Sequence, residues 1–257
     1  MEKRFLCTVC GKCCTGLLPL TLADAVRHAG RFPLALMWTP VRKASRAHAV
    51  TVRLGVEVRL PDKTRLAVRV GAVSYLPPTM ACPELAGDGR CAIHADKPLR
   101  CRTMPFFPYL DEDRQAEHLI PRPGWDCDTS AAAPVVYRDR KVVDRADFDA
   151  ERAALLREAP IVRAYAQAVL SKVPHAMADL ARASSAKHGG GYVVRSFASI
   201  LPYLAGVDRG DFARRQAPVL NAYAAATADD PAAANHHRHY VNNAREMARL
   251  IAESGAG

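Results

Sequence analysis

The stretch Phe5-Leu6-Cys7-Thr8-Val9-Cys10-Gly11-Lys12-Cys13-Cys14-Thr15-Gly16 puts four thiols within eight residues. A two-residue gap lets one tight turn aim two sulfurs at a single ion, and here that gap occurs twice in succession. The pattern points to bound metal. It matches the opening of the bacterial ferredoxin run, whose last cysteine is followed by proline, and Cys82-Pro83 can take that part from a distance. The Cys10-Gly11-Lys12 turn suits a zinc knuckle equally well. Spacing therefore leaves open zinc thiolate sites, iron–sulfur clusters of the 4Fe-4S kind, or one of each. The repeated gap and the distant Cys-Pro lean the reading toward iron–sulfur.

Four more thiols follow, Cys82, Cys91, Cys101 and Cys127, and the chain has eight in all. Eight thiols make two four-thiolate sites and leave none exposed to oxidation. Cys13 and Cys14 are neighbours, so in extended or turn-like backbone their Cβ atoms should diverge and the two should serve different centres. Arg90, Lys97, Arg100 and Arg102 lie among the later cysteines, where cationic charge favours thiolate. From Pro77 to Pro134 the chain is rich in Pro, Gly and Cys and has little periodicity, so its order requires an internal crosslink, which metal would supply.

Outward from the cysteines the pattern becomes regular. Thr21 with Asp24 three residues on predicts a capped short helix ending at Gly30 and Pro33. Val50, Val52, Leu54, Val56, Val58 and Leu60 alternate with polar residues and predict a strand. Leu66, Val68 and Val70 should return beside it, Leu60 opposite Leu66 and Val58 opposite Val68. Beyond Asp147 the chain is alanine-rich, with breaks expected at Pro160, Pro174, Gly189-Gly190-Gly191, Gly206 to Gly210 and Asp229-Asp230-Pro231, which gives about five helices. The expected class is α+β: a metal-stapled cysteine-cluster module with a β-hairpin over residues 1–145, then an all-α helical bundle over 146–257.

Length and composition bound the rest. With 257 residues and 49% apolar content, the chain can bury a proper core. The formal net charge is +10; two dipositive ions on eight thiolates would bring it to roughly +6. Met1 to Leu6 run straight into the cysteines without a long apolar stretch, so neither a signal peptide nor a membrane span is expected and the compartment reads as cytoplasmic. In a reducing compartment clustered cysteines read as metal ligands before disulfides. The basic balance suggests an acidic partner, a protein or peptide first and nucleic acid second, the latter as a zinc-dependent nucleic-acid-binding module, with no membrane; oligomeric state is not legible.

The segments FLCTVCGKCCTG (Phe5 to Gly16), LTLADAVR (Leu20 to Arg27) and CPELAGDGRCAIHADKPLRCRTMPF (Cys82 to Phe106) resemble the CxxCxxCC cysteine-cluster family of zinc- or iron-chelating proteins. The resemblance covers roughly the first 130 residues. It implies Cys7, Cys10, Cys13, Cys14, Cys82, Cys91 and Cys101 as ligands, with Cys127 a looser match, while His94 and Lys97 stand where the family usually shows Tyr and Arg. Because the family includes flagellin lysine N-methylase, the resemblance also implies an alternative, an iron–sulfur enzyme that modifies a protein or peptide. A methyl-donor pocket would need a strand-to-helix glycine turn, and Gly189-Gly190-Gly191 reads as a linker instead. His236 and His239, three apart, have imidazole-pair spacing but no accompanying Glu. His94 could replace a thiolate, and Trp125 with Phe106-Phe107 reads as core. No acyl-transfer triad and no Walker loop is present.

Overall fold

The computed structural model describes residues 2–186 and 191–255. Strand β1 (Glu2–Arg4) precedes the cysteine loop, followed by β2 (Leu18–Leu20), α1 (Leu22–Arg27), β3 (Leu34–Arg42), α2 (His48–Leu54), β4 (Val56–Arg59) and β5 (Arg65–Ser74). The irregular segment carries one short α-helix, α3 (Leu99–Thr103), and two 3-10 helices (His94–Asp96 and Glu112–Leu119), and leads to β6 (Val135–Arg138) and β7 (Lys141–Val142). Then come α4 (Ala146–Lys172), α5 (Ala176–Ser185), β8 (Val193–Ser196), α6 (Arg209–Ala226) and α7 (Ala234–Gly255). The fold is α+β. One antiparallel sheet runs β2-β5-β3-β8, with β4 also on β5, and a small one runs β1-β6-β7.

Helix α1 starts as its residues dictate, the Thr21 hydroxyl accepting from the Asp24 N–H at 3.0 Å. The hairpin forms with its even-numbered face inward, but Val58 stands opposite Leu66 and Val56 opposite Val68. This is a two-residue shift from the expected pairing, and because side chains alternate with period two it leaves every residue on its face. The turn closes through Leu60 N–H to Thr64 O at 2.8 Å.

The first half of the expected strand is instead helix α2. Val50 and Leu54, one turn apart, bury against Tyr109 and Leu155, and that packing overrides the β preference of the valines. Gly55 marks the junction, since a Cβ there would lie 2.2 Å from the Val68 carbonyl oxygen. The long β3 was not anticipated. It is nearly apolar throughout, as a strand covered on both faces must be, so it shows no alternation.

From Ala146 on, four α-helices form among the described residues, against about five expected. Pro160 does not break α4; it sits on an exposed side of the helix, as does Leu156, whose carbonyl loses its helical partner there. Gly189 and Gly190 lie outside the described residues; Gly191 donates its N–H to Ala183 O at 2.8 Å. Strand β8, placed by the structure between α5 and α6, adds a sheet edge within the alanine-rich half.

The main core takes side chains from both sides of residue 145: Trp38, Val68 and Val70 of the sheet meet Tyr165 of α4, Leu180 of α5, Phe212 of α6 and Tyr240 of α7. Buried Gln216 of α6 stitches the halves, donating to Ala29 O and Phe32 O at 3.1 and 3.0 Å and accepting from the Leu34 N–H at 3.2 Å. A satellite core of Phe5, Phe106, Leu119, Tyr137, Val142 and Phe148 backs the small sheet. Among the described residues no helix is long and apolar enough to cross a membrane.

Candidate metal centre

Two backbone clasps fold the cysteine loop onto the later thiols. At one, Leu6 and Asp128 exchange hydrogen bonds (2.8 and 3.0 Å), and the Thr8 hydroxyl donates to Asp126 O at 2.9 Å. Cys7 is thereby brought beside Cys127. At the other, Thr15 bridges Ala81, and Cys82 N–H donates to Cys14 O at 2.8 Å. Cys91 returns toward Cys82 because Leu85 bridges it and Ala92 N–H donates to Glu84 O at 2.8 Å.

Between the clasps the loop turns through Val9 (φ 58°) and Gly11 (φ 71°), with Cys14 N–H donating to Gly11 O at 2.9 Å. A Cβ on Gly11 would lie 2.9 Å from both Gly89 O and a Leu85 methyl. Glycine is required there on both counts, by backbone conformation and by the approach of the second loop.

Cys101 sits on α3, which is held on several sides. Asp24 accepts from the Leu99 N–H at 3.1 Å, the favourable place for a carboxylate at a helix start. Thr103 donates to Leu99 O and Asp147 O, and Arg102 pairs with Asp147. Beneath, Arg100 faces Glu151 of α4 at 3.6 Å, both side chains only 3% exposed; Arg100 also donates to Phe106 O and lies 5.6 Å from the Phe107 ring centre. Burial pushes the Glu151 carboxyl upward, and the Arg100 charge opposes it.

The thiols fall into two neighbourhoods. Cys14 feels the charges of Cys82, Cys101 and Cys91, and Cys101 those of Cys82 and Cys91. Cys127 feels Cys10, Cys7 and Cys13. Cys13 lies at the junction, because its charge also reaches Cys82 and its thiol is hydrogen-bonded to Cys14.

That hydrogen bond raises the Cys13 thiol and lowers Cys14. Burial pushes Cys101 up to about 12, with Cys82 and Cys91 adding to it and Arg100 and Lys97 opposing. Cys10 is lowered, chiefly by the Lys12 N–H and then that of Asp126. Of the four interleaved cations, Lys97 and Arg100 act on the thiols in this way.

All eight thiols are free, and among the described residues no three Cys, His, Asp or Glu side chains stand close enough together to hold one ion as placed. The donor chemistry nonetheless fits a thiophilic metal: each neighbourhood offers soft sulfur ligands, and a four-coordinate site needs four. His94 is exposed, its backbone N–H donating to Cys91 O at 3.2 Å. His236 stacks on Tyr75, 4.2 Å between ring centres, and His239 is half-buried beside Leu34 O and Asn243. Their three-residue spacing serves packing of α7 on the sheet. Phe106 is core, as read, and Trp125 carries the Arg122 guanidinium at 5.4 Å.

Residues 6–123 match a family model described as "Putative zinc- or iron-chelating domain" and named CxxCxxCC. The match spans less than half of the chain, and over that segment the chain is similar to the CxxCxxCC family. The CxxCxxCC segment contains seven of the eight cysteines, and Cys127 with helices α4 to α7 lies outside it. No curated protein and no solved structure gives a significant match. Glu151 escaped the sequence reading, although its signal is present: it occupies a position in the buried stripe Phe148, Glu151, Ala154, Leu155 of α4, where a charge needs a partner.

Proposed function

We propose that the chain holds two four-thiolate metal centres, an inner one on Cys14, Cys82, Cys91 and Cys101 and an outer one on Cys7, Cys10, Cys13 and Cys127. The observation that carries this reading is the pair of backbone clasps, which delivers the two ends of one short loop to different distant cysteines. Cys13 goes to the outer set by ligand count, since the inner set already has four. Lys97 and Arg100 offset the excess negative charge of the inner thiolates.

The metal we read as iron–sulfur before zinc. In two-cluster ferredoxins the first three cysteines of the run share one cluster and the cysteine before proline serves the other. The same division here puts Cys7, Cys10 and Cys13 in one centre and Cys82, followed by Pro83, in the other. When bound, such a group supplies either a fixed crosslink or one-electron chemistry; the protein's residues supply its thiolates, its charge balance and its shielding from water. Exposed Leu6, Val9 and Leu17 flank the cysteine loop and favour a protein or peptide partner over nucleic acid.

Anaerobic purification followed by an absorption spectrum and elemental analysis of one sample tests this. Two centres require two zinc ions, or iron and labile sulfide in the amounts of two clusters. A broad visible thiolate-to-iron absorption identifies iron–sulfur, a colourless protein with stoichiometric zinc replaces it, and fewer than two centres refutes the pairing.

A further inference from the structure

We infer that the two centres differ in kind: the outer one, on Cys7, Cys10, Cys13 and Cys127, is exchangeable and gives its metal to an acceptor, while the inner one is a fixed structural crosslink. The inference rests on the two-centre reading and goes beyond it.

The asymmetry lies in what each ligand is attached to. Inner Cys82 packs against the main core. Cys101 belongs to a helix held by Asp24, Asp147 and Glu151 from two other helices. Cys14 and Cys82 are joined by a backbone hydrogen bond, and Cys91 is part of a bridged loop. Withdrawing any of these sulfurs means breaking core contacts or a clasp, so the inner site opens with a large part of the fold.

The outer ligands are differently placed. Cys7 and Cys13 are exposed, whereas no inner thiol is. Cys7, Cys10 and Cys13 lie in coil and turn between Leu6 and Cys14. Within that loop Val9 takes a left-handed conformation unusual for a β-branched residue, with its side chain 45% exposed. The backbone clasp at Leu6, Thr8, Asp126 and Asp128 holds one end of the loop, and beyond it the Asp126 side chain adds an exposed salt bridge to Lys12, a weak tie. Such a segment opens locally at little cost, and its sulfurs are open to an incoming ligand.

The transfer is ligand exchange with no change of oxidation state. An acceptor thiolate or chelating nitrogen forms a bond to the metal as each cysteine sulfur leaves, and the departing thiolate takes up a proton from water as its pKa dictates. Cys7, as the exposed end ligand, leaves first, and Cys127, backed by the satellite core, leaves last.

The test uses the full chain loaded anaerobically with zinc, whose content is measured first. Release to an excess of a chromophoric chelator should show two phases of one ion each, separated at least about tenfold in rate. Cys7→Ser and Cys127→Ser should each abolish the fast phase and leave the slow one. Pulsed alkylation of the unmodified holo-protein, read by mass spectrometry, should label Cys7, Cys10, Cys13 and Cys127 with the rate of the fast phase, and so needs no variant to fold. Fewer than two zinc ions would remove the two-centre reading. Two ions leaving in a single phase, or early labelling of Cys82 and Cys101, would leave that reading standing and overturn the exchangeable outer site.

Discussion

Replacing Glu151 by alanine would strand the Arg100 guanidinium in the interior beside the metal ligands. Breaking a buried ion pair by removing one partner costs about 3–5 kcal/mol. The 3.6 Å separation, with Arg100 Nε and Nη1 and Glu151 Oε2 otherwise unpartnered, puts this pair at the weaker end, so about 3 kcal/mol is expected. In urea, with a slope of about 3 kcal/mol/M, the midpoint should fall by about 1 M. Replacing both partners with apolar residues of similar volume, Arg100→Met with Glu151→Leu, removes charge and counter-charge together and should bring stability back to within about 1 kcal/mol of the original. Urea unfolding of the zinc-loaded chain, followed by circular dichroism, compares the three proteins. An alanine variant within about 0.5 kcal/mol of the original would show that the pair contributes nothing. A double variant as unstable as the single one would show that the loss is packing rather than an uncompensated charge.

Cys13→Ala and Cys14→Ala, made separately, should each lower metal content but deplete different centres, the outer and the inner; loss of the same centre in both rejects the division. Gly11→Ala should cost about 1–2 kcal/mol through its left-handed backbone alone, and it should lower metal content as the Gly89 loop is pushed away. Gly89→Ala, with a similar φ of 81° but open space around its Cβ, separates the two effects: only the Gly11 variant should lose metal. Burial raises Glu158 from 4.5 to about 7 while its carboxylate accepts from the Ala23 N–H. A carboxyl raised in the folded state contributes stability that is complete below the unfolded value and is lost as pH rises through about 7. Glu158→Gln should therefore gain on the unmodified chain by roughly 2–3 kcal/mol between pH 4.5 and 8 in urea titrations, and a constant difference would contradict it. Removing metal with chelator should expose amides from Pro77 to Pro134 to hydrogen exchange while α4 to α7 stay protected; both collapsing together would mean that the shared core depends on the metal.

The cysteine loop could be read from sequence because its information is local: turn spacing, adjacency and a glycine are properties of a few neighbouring residues. Helix α1 was legible for the same reason, through Thr21 and Asp24. The hairpin face was legible and its register was not, since a two-residue slip conserves the alternation that alone was visible. Strand β3 and helix α2 depend on what covers them, and the covering residues, Tyr109, Leu155 and the α4 side chains, lie far along the chain. Which distant cysteine joins which end of the loop depends on the clasps at Asp128 and Ala81, and neither residue has a side chain that announces it. The support beneath Cys101 is hidden for a similar reason: by sequence Arg100 is one of four interspersed cations, and only the fold sets Glu151, 51 residues on, against it.

The clasp between Thr8 and Asp126 joins residues 118 positions apart. A ribosome adding about 5–20 residues per second makes the far side of that clasp on the order of 10 s after the near side. Under the two-centre proposal, three closely spaced thiols exist in that interval without their fourth partner, the condition in which they are most open to oxidation or to the wrong ion. Cys14 waits a shorter time for Cys82, Cys91 and Cys101, so the proposed inner centre would close first and hold the loop in place. Strand β8, which completes the sheet edge beside β3, arrives later still. Assembly by this order would run from the inside outward, with the exposed centre filled last.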